Sequence, residues 1–367
     1  MLKWFVNLMA TAFSKRCLQA TFEATMTSLP IFASGLRRPC PIRLCEVEFS
    51  RLMGAAKSLS KKIVEDQPGL TAKSSYLGLA TRDLADWVSR LDAVPTLPVV
   101  AMKVNEHLAS NRSSAQSIAE LLRQDIALSS RILRLVNSSY YAIPGGVADV
   151  RKAITFLGFQ TIAQLILGLS VFSVFEKSAS AELSLHEFWK FAMTSAALTE
   201  KLARAVGYQQ PEVAYTAGLL QDLGKLALIT MAPEPMAKML RWVKSTRTHV
   251  CIGEKEWSLP RHEEVGENLA NRWKLPPEIV GVIAHHHDEI KELGGDLKSQ
   301  QLLACVQLAN HTVTEMHWGS SGSVTVAGTA KEVLIEFLNL DQSWWLRNQA
   351  EFETEREKVE VLLNAYL

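Results

Sequence analysis

Between Ala214 and Ile229 the sequence reads AYTAGLLQDLGKLALI, which sets one carboxylate, Asp222, between two apolar helical runs and follows it with Gly224 and Lys225. Further along stand His262 and a run of three histidines, His285-His286-His287. Imidazole nitrogen and carboxylate oxygen are the usual donors for divalent transition metals. Asp222, His262 and one of His286 or His287 therefore make one candidate ligand set. Successive residues on a helix point about 100° apart, so three consecutive helical histidines cannot all face one ion. The plainer reading of the same residues is structural. Asp222 pairs with Lys225 at i+3, Gly218 and Gly224 allow close helix approach, and the histidines are satisfied by hydrogen bonds near a pocket or solvent.

The elements that must position these groups are helical. DAVPTLPVVAMKVNEHLAS places two prolines ahead of a helix. SSAQSIAELLRQD opens on serine caps and carries Ile118, Leu121 and Leu122 at helical spacing. IALSSRILRLVNSSYY sets Ile132, Leu135 and Val136 on one face, and the following segment predicts two helices broken near Leu157-Gly158. Helical periodicity continues through LHEFWKFAMTSAALTEKLARAVG and on to QQLLACVQLANHTVTEM, and strand-like alternation is confined to the short SVTVAG. An all-α architecture follows from periodicity and capping. The helix–Gly–helix form of KAITFLGFQTIAQLIL would suit a helix-turn-helix. Its second helix is too apolar to read base edges, which makes it core.

Composition narrows the function classes. The 367 residues are 48% hydrophobic and 21% charged, as in a soluble globular protein with a sizeable core. Lys plus Arg is 39 against 38 for Asp plus Glu, and a net charge of +1 gives no ground for nucleic acid as the main partner. Five dispersed cysteines, an odd number, argue against a disulfide framework and read as free thiols of a reducing cytoplasm. The longest apolar run, Thr161 to Phe175, is interrupted by Gln164 and falls short of the ~20 residues that a membrane span needs. The first residues, MLKWFVNLMATAFSKR, faintly resemble a signal peptide but lack an A-x-A site. Residues 1–82 carry Pro30, Gly35, Pro39 and Pro41 and read as an extension, poorly ordered in part, with some helix around Phe49 to Val64.

Five stretches in order resemble the HDOD family, the HD-related output domain of bacterial signalling proteins. They are VPTLPVVAMKVNEHLA, IAELLRQDIALSSRILRLVNSSYY, VRKAITFLGFQTIAQLIL, AGLLQDLGKLAL and HEEVGENLANRWKLPPEIVGVIAHHHD. Had Gln221 been His, the central one would read GLLHDLGKL, the signature of the HD metal-dependent phosphohydrolases. The resemblance spans roughly 91–288. It implies a two-lobed all-α fold: a small N-terminal helical bundle at about 94–180, then an HD-hydrolase-like helical lobe at about 184–315. Residues 316–367 form a C-terminal helical extension. The resemblance also maps the four positions of the minimal HD metal site onto Phe191, Gln221, Asp222 and Asn310. Of these only Asp222 is a strong ligand, so the site is expected to be degenerate, with no metal, no cofactor and no catalytic residue. His262 and the three-histidine run match positions that give further ligands in two-metal HD enzymes. With Lys225, His262, His286 and His287 form a candidate residual pocket.

The function expected from this reading is non-catalytic: a cytoplasmic bacterial signal-transduction module acting by protein or small-ligand binding. The alternative is a metal-dependent phosphohydrolase or phosphodiesterase with an altered site. Partners are expected among other signalling proteins or small ligands, without nucleic acid or a membrane span. A candidate interface is Arg131, Arg134 and Tyr140 on the first lobe, facing His286 and His287 across the joint. The competing reading makes Asn137 and Ser138 a helix end and the tyrosines core cover.

Overall fold

The computed structural model describes residues 84–366, apart from 110–114, 124, 177, 179, 181 and 293–294. The reading of 1–82, with its helix at Phe49 to Val64, lies outside the described residues. A short helix α1 (Leu84–Ser89) precedes α2 (Val99–Ala109), α3 (Ala115–Arg123), α4 (Ile126–Val136), α5 (Val150–Leu157) and α6 (Phe159–Phe175). Then come α7 (Leu185–Ala205), α8 (Pro211–Leu220), α9 (Leu223–Met231), α10 (Pro233–Thr246) and α11 (Val250–Glu256). The order closes with α12 (His262–Arg272), α13 (Pro277–His285), α14 (Leu297–Glu315), α15 (Lys331–Phe337) and α16 (Gln342–Tyr366). Among the described residues there is no strand, and SVTVAG is irregular. Alternation over so few residues, with no partner strand to accept its backbone bonds, does not make a sheet.

In the first lobe the periodicity is realised as read. Ile118 and Leu122 of α3 and Ile132, Leu135 and Val136 of α4 are all buried. Asp125 caps α4 by accepting from the Leu128 amide at 2.9 Å. Asn137 ends it, and its side chain both donates to and accepts from the Val147 backbone, at 2.8 and 2.7 Å. That bond pair pins the loop between α4 and α5. Gly158, at φ +84°, breaks α5 from α6 as the sequence predicts, because only glycine holds that backbone without strain. α6 is buried along almost its whole length, as a core helix and not a recognition helix. No single helix among the described residues is long and apolar enough to cross a membrane.

The second lobe is organised around α7, which packs on α8, α14 and α16. α9 lies against α12, and α12 against α13. The C-terminal helix α16 reaches from α7 across to α4. Lys190 of α7 pairs with Glu360 of α16 at 3.0 Å, and Lys201 pairs with Glu351. Trp345 and Phe352 bury their rings under the same helix, 5.3 Å apart.

Candidate metal centre

Two glycines set the geometry of the centre. A Cβ on Gly224 would sit 1.8 Å from the His262 carbonyl oxygen, and one on Gly266 would sit 2.7 Å from the Ile283 Cγ2. Only bare backbone lets α9, α12 and α13 meet this closely. Their meeting brings Asp222, just ahead of α9, to His262 at the start of α12 and to His286, just past α13. His285 ends α13, is exposed, and bonds Asp288 at 2.8 Å. His286 and His287 lie beyond the last helical residue and both turn inward. The rule that keeps helical neighbours 100° apart therefore separates His285 from the cluster but not His286 from His287.

Asp222 Oδ1, His262 Nε2 and His286 Nε2 form a triangle with edges of 3.5, 3.4 and 3.3 Å. His262 Nδ1 lies 2.8 Å from Glu254 Oε1, and His286 Nδ1 lies 3.1 Å from the Ile283 carbonyl. Carboxylate and carbonyl oxygens only accept, so each Nδ1 carries the proton and each neutral Nε2 offers a lone pair. Three lone pairs thus converge on one point, which demands a cation there. Metal bonds of about 2.0–2.1 Å in a tetrahedron give ligand–ligand edges of about 3.3–3.4 Å. The triangle therefore fits a divalent transition metal, and the Glu254–His262 bond is the outer-shell carboxylate such ligands use.

Lys225 Nζ, 2.8 Å from Asp222 Oδ1, already contributes positive charge. The centre is closed to solvent: relative exposure is 0% for His262, 1% for His286, 4% for Asp222 and 2% for Lys225. Burial alone would raise the Asp222 carboxyl, but Lys225, His286 and His262 hold it well below the usual range. Burial disfavours the charged form of His262, yet Glu254 and Glu263 outweigh it and raise its pKa. A second proton on His262 is thus one answer to the demand for a cation. His287 and His249 are kept neutral, first by burial and then by neighbouring cationic groups. Burial and the adjacent Glu263 and Glu254 push the Cys251 thiol up.

The four minimal HD positions behave differently. The Gln221 Nε2 donates to Asn310 Oδ1 at 2.7 Å, and Asn310 Nδ2 donates back to Gln221 Oε1 at 2.6 Å. Ser195 Oγ adds a bond to Asn310 Oδ1 at 3.0 Å. Phe191 is buried on α7, one turn before Ser195. Donors that would face a cation in an HD site are here spent on one another. The expectation of no metal rested on these four positions, and the triangle is the alternative ligand set of Asp222, His262 and one of His286 or His287 read from the sequence.

The candidate interface needs correcting. His286 is enclosed, so it presents no surface to a partner. Arg134 is exposed and Arg131 half-buried. Tyr140 packs edge-on against Tyr141 at 4.7 Å, and burial, with Glu355 of α16 and Glu200 of α7, raises its hydroxyl pKa. The C-terminal helix α16 packs against α4 on this side and brings Glu355 near Tyr140. Glu254, Glu263, His249, Cys251 and Ser195 were not singled out from the sequence. Their distance from Asp222 along the chain, with no motif spacing, left no signal.

The fold has known counterparts. A 1.90 Å HDOD domain protein of unknown function from Geobacter sulfurreducens superposes with a TM-score of 0.65 at 21% identity, over 76% of this chain and 99% of that one. A signal-transduction candidate from Marinobacter aquaeolei VT8 gives 0.65 at 19% identity, over 81% and 66%. A phosphohydrolase candidate from Shewanella amazonensis SB2B gives 0.60 at 21%, over 76% and 97%. An uncharacterised protein of Treponema pallidum (strain Nichols) is 25% identical over 258 residues, 70% of this chain, and the chain spans about half (48%) of that relative's length. The HDOD domain profile matches residues 94–289, across the helices that carry the Asp222 cluster and up to, but not including, α14 with Asn310. With that match over more than half its length, the chain belongs to the HDOD domain family.

Proposed function

We propose that this protein is a non-catalytic regulatory module that acts by binding signalling proteins or a small ligand, in the cytoplasm and without nucleic acid. The observation that carries this reading is the reciprocal Gln221–Asn310 amide pair. It occupies two of the positions at which an HD hydrolase needs an imidazole and a carboxylate, and both amide oxygens accept hydrogen bonds within the pair and from Ser195, so they are turned to one another and not to a cation. The burial of the neighbouring Asp222 triangle supports the same reading, since Asp222, His262 and His286 present almost no surface to a phosphate ester. The signal-transduction description of the Marinobacter neighbour is in keeping with it.

One observation favours a second reading, a phosphohydrolase with an altered site. The Asp222–His262–His286 triangle fits a metal, and a bound metal can lower the pKa of water to make hydroxide. The test is hydrolysis of cyclic dinucleotides, nucleoside phosphates and guanosine polyphosphates by the full chain with Mg2+, Mn2+ or Zn2+. No turnover is expected. A metal-dependent rate that disappears in Asp222→Ala would replace the first reading by the second.

A further inference from the structure

His287 is the one member of the cluster with nothing to do. Both of its ring nitrogens are buried and lack a hydrogen-bond partner among the described residues. Yet the ring is packed within a group of imidazoles, 4.0 Å from His286 and 5.2 Å from His262 between centroids, with His249 edge-to-face at 4.5 Å. An uncompensated buried polar group costs free energy, and a native core keeps such a group where a ligand uses it. One donor atom from each of Asp222, His262, His286 and His287 lies within 4.8 Å of the others.

We propose that Asp222, His262, His286 and His287 form a closed, four-ligand site for a divalent transition metal of the zinc class that clamps α9, α12 and α13 together. Three edges already have tetrahedral length, and His287, with a ring nitrogen within 4.8 Å of the other three donors, supplies the fourth corner by moving inward. Four protein ligands mark a structural site, whereas a catalytic one leaves a position open for water. Glu254 and Glu263, both buried at His262, supply the negative charge that one carboxylate ligand does not. Glu263 Oε2 lies 3.3 Å from His262 Nδ1, and Glu254 Oε2 has no hydrogen-bond partner among the described residues. The inference rests on the reading of this centre as non-catalytic.

The full-length protein, stripped with chelator, is titrated with Zn2+ and separately with Co2+. Expected are one equivalent bound, a rise in Tm on addition of Zn2+, and the intense visible absorption of tetrahedral Co2+. His287→Ala should weaken binding by at least about 10-fold and shift the cobalt spectrum toward a higher coordination number. Glu254→Gln should weaken it by roughly 10–100-fold with the spectrum retained, as for an outer-shell partner. His285→Ala, whose ring is outside the cluster, should bind as the parent does. His287→Gln serves if His287→Ala does not fold. No metal-induced Tm rise in the parent, or binding and spectrum unchanged in both His287 variants, overturns the site and leaves the non-catalytic reading in place. Metal binding accompanied by phosphoester turnover overturns both the closed site and the non-catalytic reading.

Discussion

The side-chain amides of Gln221 and Asn310, 89 positions apart in sequence, face each other in a closed ring of two hydrogen bonds, at 2.7 and 2.6 Å. Each satisfies the other, and Ser195 fills a remaining acceptor site. Removing one partner should hurt more than removing all three. Gln221→Ala is expected to cost about 1–3 kcal/mol by leaving the buried Asn310 amide unpaired. The triple change Gln221→Leu, Asn310→Leu, Ser195→Ala should recover much of that, since it also removes the buried Ser195 hydroxyl that donates to Asn310. Denaturant unfolding of the three proteins checks this, and equal stability of Gln221→Ala and the parent would refute it.

Gly224 is where the packing has no slack. An added methyl would meet the His262 carbonyl at 1.8 Å, a backbone atom that cannot swing away. Gly224→Ala should destabilise by about 1–3 kcal/mol or more, as overpacking does. Gly281, whose Cβ would meet nothing within 4 Å, is the control: Gly281→Ala on α13 should be neutral to mildly stabilising. The prediction fails if the two variants melt together.

How much of this the sequence carried can be seen residue by residue. Ile132, Leu135 and Val136 are a local pattern, and the break at Gly158 is a local backbone preference, so both were legible. So was the Asp222–Lys225 pair, since i+3 neighbours meet on any helix. The Gln221–Asn310 pair was legible only as a loss of ligands, because nothing in a linear sequence says that two amides will find each other. The inward turn of both His286 and His287 depended on α13 ending at His285, and helix ends are the least determined feature of a sequence. Glu254 and Glu263 were invisible: a carboxylate that orients a histidine carries no spacing rule.

The pH dependence should follow His262. Its folded pKa lies above its ordinary 6.5, because Glu254 and Glu263 favour the charged ring against the effect of burial. A raised folded pKa means that the folded state binds the proton more tightly than the unfolded state does. That contribution to stability is fully present below 6.5 and is lost as the pH rises through the folded value. Metal-free protein should therefore lose stability on going from pH 6 to above the His262 midpoint, and His262→Gln should flatten this limb of the profile. A metal-free profile with the same slope in parent and variant would show that the proton on His262 plays no part.

The last prediction isolates the buried ammonium. Lys225 and Asp222 are both enclosed, and their 2.8 Å contact is the shortest that the carboxylate makes to a cationic group. Removing one partner of such a pair leaves an uncompensated charge, at a cost of roughly 3–5 kcal/mol. Lys225→Met keeps the length of the stem and removes only the charge, so it should destabilise the metal-free protein by about that amount near pH 8. Asp222→Asn in the Lys225→Met background should add little further loss, because the charge it deletes is the one left stranded. A double-mutant cycle gives the coupling directly. The Lys225→Met loss should shrink as the pH falls, since a proton on His262, whose pKa is raised by Glu254 and Glu263 against burial, can stand in for the ammonium. It should shrink also on addition of Zn2+, which brings the missing positive charge to the same oxygen. If the two single variants prove additive, Lys225 is not the counter-ion of Asp222, and the carboxylate is held in its core by the histidines alone.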